Sequence, residues 1–255
     1  MVAMRGLRAL DPIFRRTVPF GIARGVSTDV ELAANDALLP KAYALLREPD
    51  AFKVKDLVSI SEMMENRMHL GHKKTLLNPF MKPFIYGSRF DQLIIDLEQS
   101  REHMVKALNF VAHIAYNDGI ILLISRHNET AHEVEKCAME CKEFAHVRPW
   151  YQGMLTNCGT SFGTEIRLPD LGLFITTRGS QTAANEFAKL MIPSVGVVDT
   201  DTDPRLITYP VPGNDDSTET IRYYIRLFKE AILRGKERRK RDLEDSGSKS
   251  REVLS

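Results

Sequence analysis

A doubly wound α/β fold, with a mostly parallel sheet and helices on both faces, is what this chain predicts. Three observations predict it. Gly119-Ile-Ile-Leu-Leu-Ile-Ser125, Leu168 to Thr176 with its apolar centre Leu173-Phe-Ile175, and Ser194 to Asp199 are segments of strand length, and continuous apolar strands are those covered on both faces of a parallel sheet. Helical stretches of ten or more residues alternate with these runs, the order expected of right-handed βαβ units. A hydrophobic content of 43% over 255 residues gives enough apolar surface for one substantial core.

The elements follow in order. Residues 1–28 carry Arg5, Arg8, Arg15, Arg16 and Arg24 against the single acid Asp11, with Leu7, Leu10, Ile13, Phe14, Val18 and Phe20 between them. An Arg-rich, acid-poor, mildly amphipathic leader has the composition of a mitochondrial transit peptide. Residues 29–52 form an acidic arm, and the globular domain spans 53–235. Ser59-Ile-Ser-Glu62 has the spacing of a capping box, opening a helix through about Met68 that Gly71 stops. Phe84-Ile-Tyr86 and Gln92 to Asp96 read as short strands around the turn Gly87 to Asp91. Glu98 to Asn117 places Met104, Leu108, Val111 and Ala115 on one helical face. Helices over Glu129 to Phe144 and Ser180 to Leu190 separate the three apolar strands. A last helix runs from Asp216 to about Arg241, and 236–255 is a charged tail.

Several function classes drop out. No apolar run reaches the roughly 18 residues of a membrane-spanning helix, so no membrane role is expected. Cys137 and Cys141 lie one helical turn apart, but with three cysteines in all there is no second pair for a zinc site, and packed thiols are expected. Loops beyond the carboxyl ends of the strands are where such folds bind ligands. After Ser125 the chain reads Arg126-His-Asn-Glu-Thr130, with no glycine fingerprint for a dinucleotide, and no Gly-x-x-x-x-Gly-Lys-Ser/Thr loop occurs anywhere. His69-Leu-Gly-His72 has a metal-compatible spacing without a local third ligand. No cofactor, metal or small-molecule substrate is expected.

One motif reads as catalysis. Asp199-Thr-Asp201-Thr-Asp203-Pro204 after an apolar strand resembles the nucleophile and acid pair of haloacid-dehalogenase-type phosphatases, in which Asp199 would attack phosphorus beside Mg2+. That motif belongs on a first strand, and only residues 204–255 remain here to build the rest of the site. The bland reading makes these aspartates hydrogen-bond acceptors at turns, with Asp215 or Asp216 as an N-cap. A Mg-dependent phosphatase using Asp199 is the alternative reading.

The basic segment points elsewhere. Arg67, His69, His72, Lys73, Lys74, Lys82 and Arg89 are interleaved with Phe80, Phe84, Tyr86 and Phe90, and no acid occurs from Arg67 to Phe90. Clustered cations with aromatic faces are the footprint of a phosphate-rich partner. Arg67, His72, Lys73, Lys74, Lys82 and Arg89 are the candidate RNA-facing residues, holding phosphate rather than reading bases. Arg148-Pro-Trp150-Tyr151 either extends that surface or belongs to the core.

These residues also carry a family resemblance. His69-Leu-Gly-His72-Lys73, Asn78 to Arg89 and Ile94-Ile-Asp96-Leu-Glu98 resemble the opening signature of the second small-subunit ribosomal protein family. Gly153-Met-Leu-Thr156-Asn157, Leu168-Pro-Asp170, Ile192 to Pro204 and Tyr209 to Asp216 follow in that family's order. With the leader, the chain is similar to the mitochondrial member. The resemblance implies a flavodoxin-like α/β sheet and a structural, non-enzymatic subunit. It would bind small-subunit ribosomal RNA and other small-subunit ribosomal proteins in the mitochondrial matrix. Bacterial members insert a coiled-coil hairpin between the Leu-Thr-Asn and Leu-Pro-Asp motifs; only residues 158–169 stand there here, too few to form one. A free RNA-binding module outside the ribosome is a third reading.

Overall fold

The computed structural model describes residues 41–163 and 167–252; the predicted leader and most of the acidic arm lie outside them. Two compact units are present, Asp50–Arg239 and a smaller one whose described residues are 41–49 and 240–252. In the smaller unit residues 41–47 are helical, and Lys41 Nζ donates to the Asp242 carbonyl at 2.8 Å.

The larger unit opens with helix α1 (Ile60–Glu65). Its capping box does not form. Ser59 occupies the N-cap without a side-chain cap bond, because Glu62 reaches away to pair with Arg226 at 2.5 Å. The helix stops at Asn66, well before Gly71, and Arg67 turns the chain with a left-handed φ of 57°. That turn is held from a distance: Asn214 Nδ2 donates to the Arg67 carbonyl at 3.2 Å and Thr220 Oγ1 to the Asn66 carbonyl at 2.6 Å.

A small antiparallel sheet follows, ordered β1 (Leu70–Lys73), β3 (Gln92–Ile95), β2 (Ile85–Arg89). The predicted β2–β3 hairpin forms, but β2 runs on through Gly87–Arg89, which the sequence places in the turn, and β1 is a strand that the sequence pattern does not predict. Gly71 is inside β1 for a steric reason. A Cβ there would lie 2.5 Å from Thr200 Cγ2, and the close approach lets the His72 N–H donate to Thr200 Oγ1 at 2.9 Å.

Helix α2 (Leu97–Tyr116) buries Met104, Leu108, Val111 and Ala115 as its periodicity predicts. The main sheet is parallel throughout and ordered β5 (Phe144–His146), β4 (Ile121–Ile124), β6 (Leu171–Phe174), β7 (Ser194–Val198), β8 (Tyr209–Pro212). Read from β4, this is the flavodoxin-like order. Every residue of β4, β6 and β7 is buried, as strands between two helical layers must be. Helix α3 (Ala131–Cys141) links β4 to β5, α4 (Cys158–Phe162) follows β5, and α5 (Gln181–Lys189) links β6 to β7. The predicted helix to Phe144 is shorter because Lys142 is left-handed at φ 57°, freeing Phe144 to start β5.

Helix α6 (Thr218–Glu252) closes the fold and runs past the predicted end at Arg241. Neither Asp215 nor Asp216 is its N-cap; Ser217 precedes it and its carbonyl accepts from the Ile221 N–H at 3.0 Å. Gly235 lets α6 approach α2. An added Cβ would fall well inside contact distance of the Ala112 carbonyl oxygen and 3.0 Å from Ala115 Cβ. Gly to Ala in an open helix gains about 1 kcal/mol. Gly235→Ala is expected to have the opposite sign here, losing about 2 kcal/mol through overpacking, read as a lower denaturation midpoint in urea.

Candidate nucleic-acid interface

The motifs separated most widely in sequence converge beyond the carboxyl ends of β6, β7 and β8. β1 brings His72 to Asp199, whose Oδ1 lies 3.3 Å from His72 Nδ1. On the other side of the ring, His72 Nε2 stands 3.1 Å from Asp216 Oδ2 and 3.9 Å from Asp201 Oδ2. Arg178, at the end of the β6 loop, approaches Asp216 at 3.2 Å and Asp201 at 3.7 Å. Two cations therefore hold the rim of a carboxylate cluster. The hydrogen bond to Asp199 raises the His72 pKa, burial opposes it, and the charges of Asp199, Asp201 and Asp216 complete a rise to about 9. Burial, then the charge of Asp199, push Asp215 up to about 7.

This geometry disposes of the phosphatase reading. Asp199 is 1% exposed. Its Oδ1 accepts from the Thr200 N–H at 2.5 Å and its Oδ2 from the Asp215 N–H at 3.4 Å. A carboxylate buried and bonded through both oxygens is a structural acceptor with no face open to phosphorus. His69 does not join His72 in a metal pair. Among the described residues the trio with donor atoms all within 4.8 Å of one another is His72, Asp199 and Asp216. Those atoms already partner each other and Arg178.

The His72 side chain, a candidate RNA contact, is 11% exposed; both ring nitrogens face carboxylates and Nε2 also lies 3.1 Å from Arg178 Nη1. The remaining candidates are on the surface. Strand register sets Lys73 opposite Gln92 and Gln92 opposite Arg89, one row across the small sheet. The Lys74 N–H donates to the Asp91 carbonyl at 2.8 Å, so Lys73, Lys74 and Arg89 gather at the hairpin end. Lys82 is exposed on the 3-10 segment Pro79–Phe84. No acid pairs with Lys73, Lys74, Lys82 or Arg89 among the described residues. Arg67 stands apart at the end of α1, 3.8 Å from Glu219 with both side chains more than half exposed, a pair worth little.

One residue escaped sequence reasoning altogether. Glu186 on α5 is 3% exposed and accepts four hydrogen bonds: Trp150 Nε1 at 3.2 Å, Gly153 N at 2.7 Å, Leu155 N at 2.9 Å and Thr156 N at 3.3 Å. Burial pushes its pKa up, but the four N–H groups outweigh it and the result is lowered. Trp150 is thereby a half-buried wall of the core rather than a surface platform. The available signal was spacing, since Glu186 lies three residues after buried Ala183 on the inward face.

The fold is thus a flavodoxin-like α/β sheet whose strand-end carboxylates are closed by their own ion pairs, with exposed cations on an appended small sheet. The family description "Ribosomal protein S2" matches residues 63–167 and 161–235. Small ribosomal subunit protein uS2m of Bos taurus is 46% identical over 199 residues, 76% of this chain and 68% of that protein. Small ribosomal subunit protein uS2 of Rickettsia akari (strain Hartford) is 34% identical over 224 residues, 71% of this chain and 76% of that protein. The protein of Rickettsia felis is also 34% identical over 224 residues. The chain belongs to the ribosomal protein S2 family. The two matched stretches meet at 161–167, beside the five-residue α4 where bacterial members are expected to carry their hairpin.

Proposed function

We propose that this chain is a structural constituent of the mitochondrial small ribosomal subunit, bound to its ribosomal RNA and to neighbouring ribosomal proteins during translation. The observation that carries the reading is membership of the S2 family together with 46% identity to a mitochondrial relative. The arginine-rich composition of residues 1–28 supports a mitochondrial address, with 53–235 as the ribosomal domain and 236–255 as a charged tail.

Arg67, Lys73, Lys74, Lys82 and Arg89 are the proposed phosphate contacts, and His72 is the least accessible of the candidates. The full-length tagged chain is expected to co-sediment with the small subunit from mitochondrial lysate; migration only as a free monomer overturns the reading. Replacing Lys73, Lys74 and Arg89 together by glutamine is expected to weaken retention most at low salt, with the deficit shrinking as salt rises. The logarithmic salt slope should fall by about 2, since each neutralised phosphate contributes roughly 0.7 to 0.9 to it. An unchanged slope would mean that RNA phosphates are held by other residues.

A further inference from the structure

The tip of the β2–β3 hairpin is built in an unusual way. Its two connecting residues, Phe90 and Asp91, both have positive φ, 50° and 60°. The mirror-image turn this makes suits hairpin twist, and Asn-Gly or Asp-Gly normally fill it. A phenylalanine there strains the backbone. Nothing in the core repays the strain, because Phe90 is 92% exposed. Arg89 stacks on the ring, its Cζ 5.5 Å from the centroid, and the rest of the ring faces solvent. Tyr86, four residues earlier on β2, is 81% exposed.

From this we infer that Phe90 is a stacking platform for an unpaired base of the ribosomal RNA, a role that rests on the ribosomal reading above and specifies how this hairpin meets its partner. Charge favours RNA over a protein neighbour. Lys73, Lys74 and Arg89 surround the tip by strand register and by the Lys74–Asp91 bond, and Asp91 is the one acid in the turn. Cations beside a rigid aromatic face hold a phosphate and its base together, and base–aromatic stacking tolerates any sequence. The strained turn fixes the ring in place before the RNA arrives, so little ordering is left for binding.

The test uses small subunits isolated from cells expressing the full tagged chain. They are irradiated with short-wave ultraviolet light, digested and searched by mass spectrometry for nucleotide adducts. An adduct on Phe90 is expected, absent in Phe90→Asn. Asparagine tolerates the left-handed backbone, so the free Phe90→Asn chain is expected to melt about 2 °C higher. Its retention in the subunit under salt wash should nevertheless weaken about tenfold, the loss of one stacked base. A merely structural Phe90 would move both readouts together. Phe90 without an adduct in subunits that contain the chain, or joined instead to a protein neighbour, overturns this inference and leaves the ribosomal reading standing. A wild-type chain that never enters the subunit overturns the reading beneath it.

Discussion

Replacing Glu186 with alanine is expected to lower the melting temperature of the purified chain by about 10 °C, the largest effect of any single substitution outside the apolar core. The change removes one acceptor group and strands four donors, the Trp150 indole and the N–H groups of Gly153, Leu155 and Thr156. A buried donor left unsatisfied costs about 1–3 kcal/mol. The four share one acceptor and the loop can relax toward water, so the penalties do not add, and about 4 kcal/mol is the expected total. At about 2–4 °C per kcal/mol for a domain of this size, that gives the stated shift. Glu186→Gln should lose about half as much, because the amide oxygen still accepts while its NH2 faces N–H groups. Trp150 is the only tryptophan, so its fluorescence reports the loop directly. The pH sign follows from the lowered pKa. The carboxylate's contribution is present above its unfolded-state pKa and is lost as pH falls through the folded value. Melting within 1 °C of wild type would mean the loop does not depend on Glu186.

The sheet was legible because its central strands are almost wholly apolar, the pattern expected of strands covered on both sides. Helix α2 was legible from the apolar face Met104, Leu108, Val111 and Ala115, about three turns long. The edges were not. Strand β8 contains Pro210 and Pro212, which cannot donate to a ladder and are tolerated only at an edge, so its sequence reads as a loop. Strand β5 has three residues and follows a helix ended by a left-handed lysine rather than a glycine, which leaves no punctuation to detect. Strand β1 owes its form to pairing with β3, about twenty residues on, and to the His72 bond to Thr200, far away in the chain. The candidate site divides the same way. Lys73, Lys74, Lys82 and Arg89 could be read as a cationic surface because their exposure needs no partner. His72 sits in the same basic run, and local sequence cannot show that it turns inward toward Asp199 and Asp216. The acidic motif that resembles a nucleophile is thus the counter-charge of a histidine from the basic motif, which explains both at once.

That pairing has a measurable pH signature. Between its ordinary value of 6.5 and its folded value of about 9, His72 keeps a proton in the folded chain that it loses in the unfolded one. Its contribution to stability is therefore complete below 6.5 and fades as pH rises through 9. The full shift corresponds to roughly 3 kcal/mol; Asp216 is 56% exposed, and screening there brings the expectation to about 2 kcal/mol. Asp215 acts in the same direction over a lower window, since its folded pKa of about 7 lies above the ordinary 3.8. Its proton favours the folded state until pH passes 7. Both slopes oppose that of Glu186, and the His72 window lies wholly above it. Urea unfolding of wild type and His72→Gln should differ by about 2 kcal/mol at pH 6 and converge near pH 10. Asp199→Asn should flatten the wild-type slope between 6.5 and 9 as well, because it removes the strongest partner of the imidazolium. A constant difference between wild type and His72→Gln across the range would show that His72 packs as a neutral ring. The carboxylates would then need another counter-charge, and Arg178, bridging Asp201 and Asp216, is the remaining group placed to supply it.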